Sequence, residues 1–202
     1  MERRMSHEDL HTQIAYLESV LAKSKTLAEI LEKTPDLHLP NWYVGAGAIA
    51  QTVWNELHGY SLDHGLKDCD LVYFDEDRSS ETQNVYRQRG SELFASLPVE
   101  VEITNEARVH LWYKEKFGKK ITPYLSTEDA ITTWPTTATS VGVRYRNGLF
   151  QVYAPYGLYD LLSMIVRPNK TLVSRDVYEK KTRRWKSEWP MLEVIAWDEM
   201  PH

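Results

Sequence analysis

The stretch from residue 41 to residue 75 constrains the fold of this chain more than any other. WYVGAG is typical of a strand that enters a glycine turn, and AIAQTVWNELHG predicts a helix that ends at Gly59. After a polar loop, KDCDLVYFD places two acids, Asp68 and Asp70, at the entry to an apolar strand. Residues two apart on a strand share one face. Two like charges on one face of a half-buried strand need a compensating charge, so this position calls for a partner.

A second acidic strand follows at residues 99–103, where VEVEI alternates acids with Val and Ile, the period-two pattern of a half-buried strand. If the two strands are neighbours, Asp68, Asp70 and one of Glu100 and Glu102 converge. Three hard oxygen donors with open positions suit Mg²⁺ (or Mn²⁺), which takes the rest of its shell from water and substrate phosphates. The alternative is a solvated strand edge, where the acids face water and discourage edge pairing.

The rest of the chain predicts an α+β fold, a small mixed sheet flanked by helices. Residues 1–40 are predicted to be an N-terminal helical segment packed on the core, capped by Ser6, and residues 41–202 to be a single domain. Asn147-Gly148 predicts a two-residue hairpin turn. Further helices are predicted for NEARVHLWYKEKFG, GLYDLLSMIV and SRDVYEKKTRRWKSEW, the first ending at Gly118.

Composition limits the partners and the compartment. The net charge of −5 argues against constitutive binding to duplex nucleic acid, which needs a broad basic face. There is one cysteine, Cys69, so we expect a reducing compartment. The sequence has no apolar run of about 18 residues, so no membrane span is predicted. The N-terminus MERRMSHEDLHTQ lacks the apolar core of a signal peptide, and we expect a cytoplasmic protein.

Two other motifs have a functional and a structural interpretation. HEDLH at residues 7–11 matches the H-E-x-x-H zinc signature, but it lies at the very start of the chain, and we interpret its acids as charges at a helix N-terminus. The basic run at residues 180–186 is either a solvated helix face or a basic wall that attracts nucleotide; we favour the solvated face. Trp185 and Trp189, four apart, favour core packing over base stacking.

The order glycine turn, D-x-D strand, later acidic strand resembles the nucleotidyltransferase fold of the DNA polymerase beta superfamily. The amino-acid sequence is more specifically similar to a bacterial family of small nucleotidyltransferase-like proteins. The stretches that carry this resemblance are VGAGAIAQTVWNELHGY, KDCDLVYFD, NEARVHLWYKEKFG, TTWPTTATSVGVR and VYAPYGLYDLLSMIVRPN, which cover most of residues 41–190.

The resemblance implies metal-dependent transfer of a nucleoside monophosphate from a nucleoside triphosphate to a hydroxyl acceptor. Asp68 and Asp70 would ligate both ions of a two-metal site, and Glu102 would hold the ion nearer the acceptor. The glycine turn would bind the triphosphate through backbone N–H groups at the start of the helix, at Gly45, Gly47 and Ala48. The acceptor, the preferred base and the oligomeric state are not disclosed by the sequence.

Arg108 is the candidate cation for this site. A helix that starts near Asn105 would bring Arg108 close to the acids. There it is either an anion clamp on the triphosphate or the acceptor, or an ion-pair partner of Glu102 or a neighbouring acid.

Two departures from the resemblance keep other functions open. The CCA-adding branch of the superfamily has an arginine shortly after its glycine pair, whereas this chain has Ala48-Ile49-Ala50-Gln51. The turn also has Gly-Ala where Gly-Ser or Gly-Gly is usual. These departures favour a rival hypothesis, a non-catalytic nucleotide-binding or partner-regulating module with the same fold. A metal-dependent phosphohydrolase that uses the same acids is a third hypothesis.

Overall fold

Helices and strands are interspersed over residues 5–199, the part of the chain that this computed structural model describes. The strands are β1 (Tyr43–Gly45), β2 (Asp68–Tyr73), β3 (Glu100–Asn105), β4 (Gly142–Arg146), β5 (Leu149–Tyr153), β6 (Ile165–Val166) and β7 (Glu193–Val194). The helices are α1 (Leu10–Lys23), α2 (Lys25–Lys33), α3 (Ala46–His58), α4 (Ser80–Leu93), α5 (Val109–Phe117), α6 (Thr127–Ile131), α7 (Tyr159–Leu162) and α8 (Arg175–Glu188). The predicted α+β class is confirmed.

A five-stranded mixed sheet carries the fold, in the order β3-β2-β1-β4-β5. Strands β2 and β3 pair in parallel, and the other neighbours in this sheet pair antiparallel. β6 and β7 form a separate parallel pair. The two acidic strands are therefore direct neighbours, as the convergence of their carboxylates requires.

The β4–β5 hairpin closes with the two-residue turn that the sequence predicts. Arg146 pairs with Leu149, which leaves Asn147 and Gly148 between the strands. Both turn residues are left-handed, with φ of 53° and 73°. Asn and Gly tolerate this conformation at low cost, and a turn with two positive φ angles matches the twist of the strands.

The two faces of the sheet are packed differently. One face carries Val44, Leu71 and Ile103 and lies in the main core with α1, α2 and α3. The other face is covered over part of its area by a smaller cluster that includes Val72 and Ile131. The acids of β2 and β3 lie on this second face, because they alternate with the residues of the main core.

The N-terminal helical segment packs on the main core, but it begins later than predicted. Ser6 lies in a short 3-10 turn, and the N-cap of α1 is Asp9, whose carboxylate accepts from the Thr12 backbone N at 3.1 Å. Ser24 separates α1 from α2 and caps α2, since its hydroxyl accepts from the backbone N of Leu27. Leu17 and Leu27 are fully buried in the core shared with the sheet.

Helix α8 closes the fold against α3 through three tryptophans. The ring centroid of Trp54 lies 5.6 Å from those of Trp185 and Trp189. Trp185 and Trp189 are both buried, which confirms their predicted core role. None of the helices in residues 5–199 has both the length and the apolar character that a membrane span requires.

Candidate active site

The glycine turn between β1 and α3 is held rigidly by its surroundings. A Cβ at Gly45 would lie 2.5 Å from the Trp134 ring and 2.8 Å from the Val141 carbonyl oxygen, so only glycine fits there. The next residue, Ala46, has φ of 56°, a left-handed conformation that costs a non-glycine residue free energy. Its backbone N donates to the Val141 carbonyl at 3.1 Å, which holds this conformation in place. Strain of this kind is common at ligand-binding turns.

The N-terminus of α3 opens beside the acidic strand. Gly45 pairs directly with Asp70 across β1 and β2. Gly47 and Ala48 lie in the first turn of α3, where backbone N–H groups have no partner within the helix. In the described part of the chain no side chain caps this helix, whereas Asp9 and Ser24 cap α1 and α2. The turn therefore presents N–H groups and the positive end of a helix dipole next to Asp70.

The predicted metal ligands lie in register on neighbouring strands. Asp68 is paired with Glu100 and Asp70 with Glu102. Paired residues of parallel strands share a face, and their backbones are about 4.8 Å apart. Asp68, Glu100 and Glu102 are exposed, and Asp70 is half-buried. Strand pairing thus brings all four carboxylates to one patch of the sheet.

The electrostatics of Asp70 indicate a site with excess negative charge. Burial, followed by the charges of Asp68 and Glu102, raises the pKa of Asp70 to about 6. The ammonium groups of Lys181 and Lys116 act in the opposite direction. A carboxylate that is pushed toward its neutral form by neighbouring acids is stabilised in its charged form when a cation binds between them.

The donor set fits a hard divalent cation, although the side chains are not yet arranged around one. Within residues 5–199 no three Asp, Glu, His or Cys side chains are positioned together as a metal-binding group. Asp68 and Glu102 are exposed, so rotation of their side chains into another staggered rotamer meets little steric resistance. Carboxylate oxygens with open positions are the ligands that Mg²⁺ prefers.

A fifth carboxyl group, Glu106, belongs to the site and is missed by the sequence reasoning. It lies in the 3-10 turn after β3 and is only 5% exposed. Burial, followed by the charge of Asp70, raises the pKa of Glu106 to about 8. In the sequence it resembles an ordinary acid at a helix start, because it follows the capping residue Asn105, so no local signal distinguishes it.

The basic run on α8 divides into two faces. Lys180 and Arg183 are exposed, whereas Lys181 is partly buried. Burial, followed by the charge of Arg184, lowers the pKa of Lys181, and Asp70 and Asp68 oppose this effect. Arg184 also lines a cavity of about 50 Å³ together with Asp68 and Gln51. One face of the run thus adjoins the acids, and the solvated interpretation holds for the other face.

The structure does not bring Arg108 to the acids. Its Nη1 donates to the backbone carbonyl of Arg78. Hydrogen bonds from Thr82 and Ser79 lower the pKa of Asp77, and the charge of Arg108 adds to this effect. The cations that act on Asp70 are Lys181 and Lys116. The nucleotide-binding role of Arg108 stays a prediction and would require its side chain to leave the Arg78 carbonyl.

The HEDLH motif does not lie on one helix. His7 belongs to the 3-10 turn and packs edge-on against the Tyr159 ring at 5.4 Å, whereas α1 begins at Leu10. The zinc signature needs both histidines on one face of a helix.

Comparison with known proteins places this fold and its acidic strands in a class. A structure solved by NMR and described as revealing a CCA-adding enzyme head domain matches with a TM-score of 0.72 and 26% sequence identity, over 95% of this chain and 99% of that one. The class defined by the fold is thus that of nucleotidyltransferase head domains. A family model described as Nucleotidyltransferase matches residues 32–194, and the chain belongs to this family. No curated protein matches the chain.

Proposed function

We propose that this protein transfers a nucleoside monophosphate from a nucleoside triphosphate to a hydroxyl acceptor, with Mg²⁺ or Mn²⁺ bound at Asp68, Asp70 and Glu102. The observation that carries the proposal is the register of β2 and β3, which pairs Asp70 with Glu102 directly beside the glycine turn. Family membership supports nucleotidyl transfer in general. The dependence on a metal ion and the use of a hydroxyl acceptor are proposed beyond what family membership supports.

The protein groups have separate tasks in this reaction. The backbone N–H groups of Gly47 and Ala48 bind phosphate oxygens at the start of α3. Lys181, whose charge acts on Asp70 and Asp68, stabilises the charge that builds up on the leaving pyrophosphate. When bound, the divalent ion supplies charge stabilisation and lowers the pKa of the acceptor hydroxyl.

Asp70 is the residue on which ion binding depends most. It lies between the glycine turn and Glu102, so an ion bound to its carboxylate would also be in reach of phosphates that the turn holds. Burial, followed by repulsion from Asp68 and Glu102, raises its pKa, and a bound cation would compensate that repulsion.

Replacing Asp70 tests the proposal. Asp70→Asn should abolish Mg²⁺-dependent binding of a non-hydrolysable nucleoside triphosphate in isothermal titration calorimetry, because the central ligand loses its charge. Asp36→Asn is the matched control, since Asp36 is an exposed acid in the turn after α2. Unchanged triphosphate binding by the Asp70→Asn protein would contradict the assignment.

A second candidate is a nucleotide-binding module without catalysis. The absence of a cation at residues 48–51 of the sequence favours it. Incubation with labelled triphosphates and Mg²⁺ distinguishes the two, because transfer releases pyrophosphate. Binding without pyrophosphate release for any of the four nucleotides would favour the module.

A further inference from the structure

Helix α5 carries three aromatic rings and a lysine on one face. Residues 112, 113, 116 and 117 are spaced so that they are neighbours on a helix surface. The Tyr113 and Phe117 ring centroids are 4.6 Å apart, and those of Trp112 and Phe117 are 6.5 Å apart. The Lys116 Nζ lies 5.4 Å from the Trp112 centroid and 5.5 Å from the Phe117 centroid. A cation is thus placed among ring surfaces.

This face is anchored at one end and open at the other. Trp112 and Tyr113 pack against a small cluster around Val109 and Tyr124. Phe117, by contrast, is 45% exposed, so part of its ring is available to a ligand. Two of the three rings are therefore held by packing before anything binds, which lowers the entropy cost of stacking on this face.

The surroundings of these rings are positively charged although the whole chain is acidic. Residues 114–120 include Lys114, Lys116, Lys119 and Lys120 against a single acid, Glu115, in a chain with a net charge of −5. All four lysines are exposed. We call this surface, residues 112–120, the α5 platform.

The α5 platform adjoins the carboxylates of the candidate active site. Helix α5 follows β3, the strand of Glu102, after a single 3-10 turn at Glu106–Arg108. The charge of Lys116 also acts on Asp70, where it opposes the larger effects of burial, Asp68 and Glu102 on the pKa. A chain molecule that lies on the platform can therefore place its end at the acids.

We propose that the α5 platform binds the end of a single-stranded nucleic acid, which presents its terminal hydroxyl as the acceptor. Exposed rings stack on unpaired bases and the flanking lysines bind the phosphates, a combination that suits single strands because their bases are not already paired and stacked in a duplex. In the transfer, the terminal hydroxyl oxygen forms a bond to the α-phosphorus of the triphosphate, the bond to pyrophosphate breaks, and the hydroxyl proton leaves to solvent. This step rests on the proposed function; the binding of the strand does not.

Binding is tested on the full-length chain with a chelator present and no nucleotide, so that catalysis plays no part. The probes are fluorescently labelled, unstructured oligo-dT and oligo-rA, measured by anisotropy at several salt concentrations. Lys119→Gln/Lys120→Gln should weaken binding and reduce the salt slope by about 1.4, since each phosphate contact on a single strand contributes about 0.7. The matched control Lys180→Gln/Arg183→Gln removes two exposed cations from α8 and should leave the slope unchanged.

A second variant tests stacking. Phe117→Ala should weaken oligonucleotide binding by about tenfold, as the loss of one base–ring stack predicts, with the salt slope unchanged. Because Phe117 is 45% exposed and lies outside the buried core, we expect the variant to keep its fold, which circular dichroism verifies.

The proposal is overturned if the chain does not bind single-stranded oligonucleotides, or if it binds duplex equally well. It is also overturned if the Lys180→Gln/Arg183→Gln control loses as much oligonucleotide affinity as the Lys119→Gln/Lys120→Gln variant. Binding to anionic phosphatidylserine vesicles that depends on Lys119 and Lys120, without oligonucleotide binding, would assign the surface to a membrane instead. The proposed function can fail separately. If the oligonucleotide binds as described but no pyrophosphate is released, the α5 platform is a single-strand binding surface and the proposed nucleotidyl transfer is wrong.

Discussion

At the scale of single residues, the site is defined by carboxyl groups whose ionisation is unfavourable in the protein alone. Asp70 and Glu106 are both driven toward the neutral form, first by burial and then by neighbouring acids. A buried acid without a charge partner destabilises the fold at high pH, and such groups cluster at functional sites. Ala46 follows Gly45, the residue that pairs with Asp70, and its left-handed backbone conformation also costs free energy of folding.

Glu106 makes the stability of the protein depend on pH. Its pKa is about 8 in the fold against 4.5 for an ordinary glutamate, so the native state binds more protons than the unfolded state between these values. Stability therefore falls as pH rises, and between pH 7 and pH 9 Glu106 alone lowers the free energy of unfolding by about 1 kcal/mol. Glu106→Gln should remove this part of the decrease.

The measurement is urea unfolding of both proteins at the two pH values. Glu76→Gln, at an exposed glutamate, is the control and should keep the wild-type decrease. An equal decrease in the Glu106→Gln protein would show that Glu106 is already ionised at pH 7.

At the scale of elements, the sequence predicts what repeats locally and misses what depends on contacts between distant segments. The D-x-D strand, the VEVEI strand and the Asn147-Gly148 turn are all present, because alternation and turn chemistry act over a few residues. The metal hypothesis requires β2 and β3 to be neighbours, and the sequence alone does not fix that. Arg108 shows the limit, since its direction depends on the Arg78 carbonyl thirty residues away.

Helix starts show the same division between local and tertiary information. Ser6 and Asp9 both precede an apolar periodic run, and only the structure shows that Asp9 accepts the capping bond.

Lys181 and Lys180 are adjacent in one basic run, yet the rotation of α8 about its axis turns Lys181 toward the acids and Lys180 toward solvent. Periodicity defines the faces of a helix but does not say what packs against each face.

The turn between β1 and α3 should tolerate change at one glycine and not at the other. An added methyl group at Gly45 meets the Trp134 ring and the Val141 carbonyl, both of which are fixed by packing, so Gly45→Ala should destabilise by about 1–3 kcal/mol. At Gly47 the nearest atom is the Gln51 Nε2 at 3.0 Å, the end of a flexible side chain. Gly47→Ala should therefore change stability by less than about 0.5 kcal/mol. Chemical denaturation of the two variants makes the comparison, and equal effects would contradict the packing argument.

At the scale of the whole molecule, the N-terminal helices and the sheet share one hydrophobic core. The family model begins at residue 32, after most of α1 and α2 in the chain. Leu17 and Leu27, which precede that boundary, are nevertheless fully buried in the same cluster as Leu71 and Trp54. The predicted division at residue 40 is therefore a change in sequence pattern across a continuous core. The structural relative agrees, since it matches 95% of the chain.

A shared core makes a prediction about cooperativity. Leu17→Ala removes a fully buried side chain from α1 and should lower the free energy of unfolding by about 2–5 kcal/mol. Leu10→Ala is the same change in the same helix at a position that is 59% exposed, and its effect should stay within about 0.5 kcal/mol. Unfolding is followed by far-ultraviolet circular dichroism, which reports on helices, and by the fluorescence of the seven tryptophans, which lie outside α1 and α2. If α1 and the sheet unfold as one unit, Leu17→Ala shifts both transitions equally. A fluorescence transition that stays at the wild-type midpoint while the dichroism transition moves would mean that the N-terminal helices fold independently of the domain that carries the acids.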